Sequence, residues 1–348
     1  MAWRTYRTAG TLMKILGIAK KLPGIGKALL GNPVVKWAVA VVVVVLGAYK
    51  IHQKWSGASA GLEQIGLLSS FEALLALLVA QYAGLKVWQV ILGGLGSPLR
   101  TRVAGRILLV GQLGKYIPGS LWPILTQMEL GAQAKVPRPR SASASALTML
   151  MSLAVGLVIA VVTIPFAAVR SSDYLWVFLL LPFALAFFHP KALNPLLNWL
   201  FRLTRRAPLE VPVSGRTIAV ATAWQVVAWA FQCLQIWILA EKFGTPMGRL
   251  VLIALGGWAF AWCVGFVIIL APAGAGPRDY LLWFALKPVI GSGPATAVML
   301  ASRGITIVSD LLCAGVAAFR RPRFTVPETA AGLATPATVP LHQPEGEA

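Results

Sequence analysis

Acidic residues are scarce: 11 in 348 residues, against 31 lysines and arginines. Charge of either sign makes up 12% of the chain, where soluble domains usually carry about 25%. So little charge excludes an ordinary soluble domain. Cysteine and histidine are as rare, with three of each. Cys233, Cys263 and Cys313 fall in apolar runs, so they read as small packing residues and no disulfide framework is expected. His52, His189 and His342 are isolated from one another, so no zinc site is expected. The chain also lacks a nucleophile elbow, a phosphate-binding loop and a paired-aspartate signature. Neither a cofactor nor a catalytic role is expected.

What the chain does have is apolar length. Val34–Tyr49 holds five consecutive valines, and Ser145–Phe166 and Val251–Ala271 hold no charge at all. The latter two reach the ~20 residues a helix needs to cross the hydrocarbon, and the first does so with its flanks. Candidate spans run over 34–51, 66–90, 144–166, 174–190, 217–240, 250–271 and 296–318. The fold class is therefore all-α, a polytopic helical membrane protein of roughly seven to eight spans. Tryptophans near the span ends, such as Trp37, Trp88 and Trp199, read as interfacial belts.

A formal charge of +20 raises nucleic acid as a partner, but no soluble basic domain carries it. The basic groups cluster between spans instead: Arg100, Arg102 and Arg106; Lys135, Arg138 and Arg140; Arg202, Arg205 and Arg206; Arg320, Arg321 and Arg323. Lysine and arginine mark the cytoplasmic side, which places both termini there in a multi-pass cell-membrane protein. Residues 1–33 read either as a basic amphipathic helix on the anionic leaflet or as a basic tail. Residues 34–320 form the transmembrane domain, and the proline-rich residues 321–348 a disordered cytoplasmic tail.

Two interruptions break the oily pattern. In "GKYIPGSLWP" at 114–123, Pro118 removes a backbone donor and Gly119 permits positive φ. Cytoplasmic clusters on both sides make 103–134 a re-entrant hairpin of two half-helices. The second break, "APAGAGPRDYLL" at 271–282, sets Gly274 and Gly276 beside Arg278 and Asp279. The charge pattern requires this one to make a net crossing, unless one of the spans is wrong. Interrupted segments at corresponding positions of two halves point to a transporter binding site, lining a cavity near the midplane.

Charges at membrane depth cost ~2.5–3.5 kcal/mol each and normally face a bundle interior. The candidates are Glu72, Lys86, Lys115, Glu129, Arg278, Asp279, Arg303 and Asp310. Arg303, Thr306 and Asp310 share a helix face, but seven residues is ~10.5 Å, too far for a direct salt bridge. Arg303 and Asp310 therefore need other partners. Each charge is either a buried pair fixing helix packing or part of a site. Lys115 and Arg278, beside the breaks, favour function as holders of an anionic head group. Thr222, Gln225, Gln232 and Gln235 form one stripe, best explained by interhelical hydrogen bonds.

These motifs, with "ASRGITIVSDLLCAG" at 301–315, resemble the lysylphosphatidylglycerol synthetase transmembrane family, a flippase-type membrane domain. The resemblance spans roughly 34–320 and is carried by Pro118 and Gly119, by Pro272, Gly274, Gly276, Arg278 and Asp279, and by Arg303. The family often continues its first break with glycine-glycine-aspartate, where this chain has "SLWPILTQMEL"; Glu129 is the candidate substitute. No aminoacyl-transferase domain follows the last span, so lipid aminoacylation is not expected. The resemblance and the breaks together imply binding and transbilayer movement of an anionic phospholipid or a polyprenyl-phosphate-linked glycan. Lys115 and Arg278 would hold phosphate, with Pro118, Gly119, Gly274 and Gly276 shaping the cavity. Glu129, Asp279, Arg303 and Asp310 would form a charge network. An integral-membrane transferase and a non-transporting lipid-binding assembly subunit remain alternatives. Membrane lipids are the expected partners; homo-oligomerisation and cell-envelope biosynthesis partners stay open.

Overall fold

Apolar runs rich in alanine, leucine and valine satisfy their backbone groups within one segment by forming helix, and they do so here. In the computed structural model, which describes residues 55–117, 122–167, 213–244, 246–267 and 276–319, every regular element is helical. The expected spans 34–51 and 174–190, the terminal segments, and Pro118, Gly119 and Gly274 lie outside the described residues.

Among the described residues the α-helices are α1 Trp55–Gly94, α2 Thr101–Gly105, α3 Trp122–Gln133, α4 Arg138–Ala167, α5 Gly215–Ala240, α6 Met247–Val267, α7 Pro277–Ile290 and α8 Ser292–Phe319. Five of them, α1, α4, α5, α6 and α8, are long and apolar enough to cross a membrane. Their outer faces stay apolar, with Leu67, Phe71, Leu311 and Val316 all exposed. α1 extends past its expected span and is broken at Gly66, where φ is 69° and ψ 174°. Only glycine adopts that conformation cheaply.

Contacts fix the helix directions. α1 runs antiparallel to α5: Gln64 Nε2 donates to the Lys242 carbonyl at one end, and Tyr82 meets Trp224 edge-to-face nearer the other. It runs parallel to α8, with Gly57 against Gly293, Gly61 against Ala297, and Gln81 bonded to Asp310. α4 is parallel to α5, because Thr222 lies beside Met151 and Trp229 beside Gly156. α6 returns antiparallel to α5, with Cys233 and Gln232 reaching Leu255 and Trp258. α7 then runs back along α6, pairing Arg278 with Gly265 and Ala285 with Gly257. A turn at Gly291 (φ 89°) leads into α8. So α1, α6 and α8 point one way and α4 and α5 the other. α8 starts from the same end as α6, which is the net crossing that the charge pattern required.

Between α1 and α4 lies a short antiparallel pair. α2 passes into a π-helical turn, Arg106–Val110, and then a 3-10 turn, Leu113–Tyr116, before the chain returns as α3. The arms touch through glycine: a Cβ on Gly111 would sit 2.5 Å from Gln127 Cγ, and one on Gly114 would sit 2.9 Å from the Pro123 nitrogen. α3 has 12 residues, or ~18 Å, against ~30 Å of hydrocarbon. α3 is fixed to its neighbours by a neutral network. Ser145 Oγ bonds Gln127 Oε1, Ser141 Oγ donates to the Gln127 carbonyl at 3.1 Å, and Trp88 Nε1 donates to Ser145 Oγ at 3.1 Å.

Two buried apolar clusters organise the bundle. One centres on Trp229, Ile236, Leu239, Leu250 and Leu286, the other on Trp88, Leu92, Ile107, Leu147 and Ile218. Lipid is as apolar as leucine, so close packing through small residues and interhelical hydrogen bonds must supply much of the cohesion. Gly156 shows how tight this is: a Cβ there would lie 2.5 Å from Trp229 Cζ2 and 3.0 Å from Cys263 Sγ. Gly156→Val is expected to destabilise the protein by about 1–3 kcal/mol. Gly248, with nothing within 4 Å of its Cβ position, provides the control as Gly248→Ala. Thermal unfolding in detergent measures both; equal midpoints would show that α4, α5 and α6 are not close-packed at Gly156.

Candidate functional site

The middle of α8 carries two charges on one face. Asp310 is buried, and a buried carboxylate is tolerated only when its oxygens are paired. Its Oδ2 takes Lys115 Nζ at 2.6 Å and the Tyr116 hydroxyl at 2.5 Å. Its Oδ1 takes Gln81 Nε2 at 2.5 Å. The outgoing arm of the short pair is thus pinned to α8 at its tip, and α1 closes the other side.

One to two turns away, Arg303 faces the start of α7. Its Nη1 lies 3.7 Å from Asp279 Oδ2, and Arg278 Nη2 lies 3.3 Å from Asp279 Oδ1. Gly276 precedes α7 with φ 93°, and its N–H donates to Asp279 Oδ2 at 3.4 Å. Asp279 therefore caps its own helix while sitting between two arginines. Arg278 is held from behind. Its Cζ lies 5.2 Å from the centre of the Trp258 ring, and Trp258 Nε1 donates to Gln232 Oε1 at 3.4 Å. A Cβ on Gly265 would lie 2.8 Å from Arg278 Cβ. The buried Arg278 Nε has no hydrogen-bond partner among the described residues.

The two groups are near enough that the charges of Arg278 and Arg303 oppose that of Lys115. Among the described residues, Lys115, Arg278 and Arg303 face Asp279 and Asp310, three cations to two carboxylates. Of the residues singled out from sequence, Lys115, Gly276, Arg278, Asp279, Arg303 and Asp310 come together here. The partners that Arg303 and Asp310 needed are Asp279 and Lys115, the latter from the opposite half of the chain.

Glu129 does not join them, which corrects the expectation that it belongs to the charge network. It is exposed at the far end of α3 and accepts Arg138 Nε at 3.0 Å and Nη2 at 2.9 Å. That paired hydrogen bond holds its carboxyl below the usual range. The short connection from α3 into α4 brings Arg138 to it, so its partner is local. Glu72 is exposed, and Lys86 Nζ donates to Gln89 Oε1 at 3.0 Å, so neither enters the site. In the polar stripe of α5, Gln225 Nε2 donates to Ser152 Oγ at 3.3 Å and Gln232 accepts from Trp258, which are interhelical bonds. Gln235 is buried with neither amide atom bonded among the described residues. Three members of the site went unread: Gln81, Tyr116 and Trp258. The first two had a signal, an amide in an apolar span and a phenol beside Lys115; Trp258 looked like any other apolar-run tryptophan.

The chain matches a family described as the lysylphosphatidylglycerol synthase TM region over residues 34–314, a range that contains every residue of this cluster. It belongs to that family. No curated protein and no solved structure matches it. Family membership and five apolar helices make it a multi-pass membrane protein of a lipid-related family.

The site yields one test of its own construction. Gly265→Val forces Arg278 away from Trp258 and Asp279, and is expected to destabilise the fold by about 1–3 kcal/mol. Substituting the exposed pair instead, Glu129→Gln with Arg138→Gln, should leave the unfolding midpoint close to that of the wild type. Equal effects in thermal unfolding would show that the Arg278 pocket is not closely packed.

Proposed function

We propose that this protein binds the anionic head group of a phospholipid or polyprenyl-phosphate-linked glycan and moves it across the bilayer. The observation that carries this reading is that two cations from the interrupted segments meet at the centre of α8, where cations outnumber carboxylates among the described residues. Both interruptions of the apolar pattern deliver a cation there, Lys115 from one and Arg278 from the other. Unneutralised charge at membrane depth is costly, and a bound phosphate would offset it. Arg278, backed by Trp258, offers a planar fork to two oxygens, and Lys115 a compact point charge. Both carboxylates are committed to cations, which favours binding over transferase chemistry needing a free general base.

In this reading the Thr101–Gln133 pair is re-entrant and its tip lines the head-group cavity. The acyl or prenyl chains stay in the bilayer while the cavity opens to alternate sides. A head group drives such a change only through different contacts in the two states, and the pairing of Lys115 and the arginines is what would differ. The protein sits in the cell membrane with both termini in the cytoplasm, following its basic clusters.

Two measurements test this. Lys115→Gln and Arg278→Gln are each expected to remain folded and to weaken binding of an anionic phospholipid by about 1.5–3 kcal/mol. The double variant should lose less than the sum, because two groups on one phosphate are coupled. Strictly additive losses would place them in separate sites. For sidedness, Arg323→Cys should resist a membrane-impermeant maleimide in intact cells; labelling there would overturn the orientation.

A further inference from the structure

We propose that Asp310 is an internal competitor of the head group, an anion built into the site that occupies Lys115 when no lipid is bound. This rests on the reading of the cluster as a head-group site and names what sets its affinity. The two carboxylates of the cluster are held differently. Asp279 caps the helix it sits on and stands between Arg278 and Arg303, so it has a structural role that does not depend on a ligand. Asp310 lies well inside α8, caps nothing, and accepts every described side-chain bond from another element: from Lys115 and Tyr116 at the tip, and from Gln81 on α1.

Those donors are not equivalent. Gln81 and Tyr116 are neutral, and they satisfy one bond on each carboxylate oxygen even when Lys115 turns away. Lys115 is the member whose charge an incoming phosphate can take over. Its ammonium is a point donor on a flexible stem, able to change partner without the fixed geometry a guanidinium requires. The charged group facing Asp310 is Lys115, while Arg278 and Arg303 act on Lys115 and Tyr116; Cys313 on α8 is the other titratable neighbour besides Tyr116. The neutral donors thus let the carboxylate stay buried while Lys115 changes partner. A carboxylate of this kind lowers head-group affinity in the resting state and reclaims the lysine when the lipid leaves, so release is part of the design of the site.

The test is a titration of the purified full chain in neutral-detergent micelles with dioctanoyl phosphatidylglycerol, and with dioctanoyl phosphatidylcholine as the neutral comparison. Asp310→Asn keeps the shape and removes the competing charge. It is expected to bind phosphatidylglycerol about tenfold more tightly than wild type. In a Lys115→Gln background the same substitution should bring no gain, because the competition runs through Lys115. A gain of equal size in that background would show a through-space charge effect and overturn the proposal, as would unchanged or weaker binding by Asp310→Asn alone. Gln81→Leu supplies a second arm should Asp310→Asn fail to fold. Losing a neutral donor makes Asp310 depend more on Lys115, so phosphatidylglycerol should bind more weakly; unaltered binding would overturn the proposal. A wild-type protein that does not distinguish the two lipids would instead sink the functional reading itself.

Discussion

A carboxylate buried in the middle of an apolar helix must be answered by donors, and Asp310 draws those donors from elements far apart in the chain. Gln81 comes from α1, and Lys115 and Tyr116 from the tip of the short antiparallel pair. Removing a partner from such a group is costly because the remaining charge stays buried. The pair is therefore placed in depth and direction by one acceptor on α8. The Arg278–Asp279–Arg303 group then shares its electrostatic surroundings.

The rest of the bundle makes that placement possible by bringing backbones unusually close. Gly293 meets Gly57, Gly111 meets Gln127, Gly156 meets Trp229 and Gly265 meets Arg278, each glycine too close to its neighbour to take a Cβ without a shift. Hydrophobic burial has little to offer inside lipid, so contact distance and polar satisfaction take its place. The returning arm, α3, illustrates the division of labour. It is held by neutral amide and hydroxyl bonds to α1 and α4, while the outgoing arm is held at its tip by charge.

The helices were legible because apolar length is a direct readout of what lipid demands. All five spans that fall in described residues appear, four close to their expected bounds and α1 running well past its expected start. Of the breaks, glycine marked the start of α7 at Gly276, while Pro118 and Gly119 lie outside the described residues. The break at Gly66 was not legible, because a single glycine between Ile65 and Leu67 carries no proline or charge to set it apart. Within the site, helical spacing put Arg303 and Asp310 on one face and correctly denied them to each other. It could not say that Lys115 would be the answer to Asp310, since spacing along one helix contains no information about which helices meet. Glu129 was misread for the same reason. A charge near a break can point inward or outward, and the short connection to Arg138 settled the matter locally.

The kink at Gly66 has a mechanical meaning. A continuous helix is a stiff rod that carries a displacement at one end to the other. α1 is instead two rods joined at a pivot. The first, residues 55–65, is clasped to the opening turns of α8 and, through Gln64, to the end of the α5 segment. The second carries Gln81 to the charged centre. If the donors around Asp310 rearrange as proposed, tilting of the second rod would not prise open the clasp. One end of the bundle would then act as a fixed bearing while its middle changed shape.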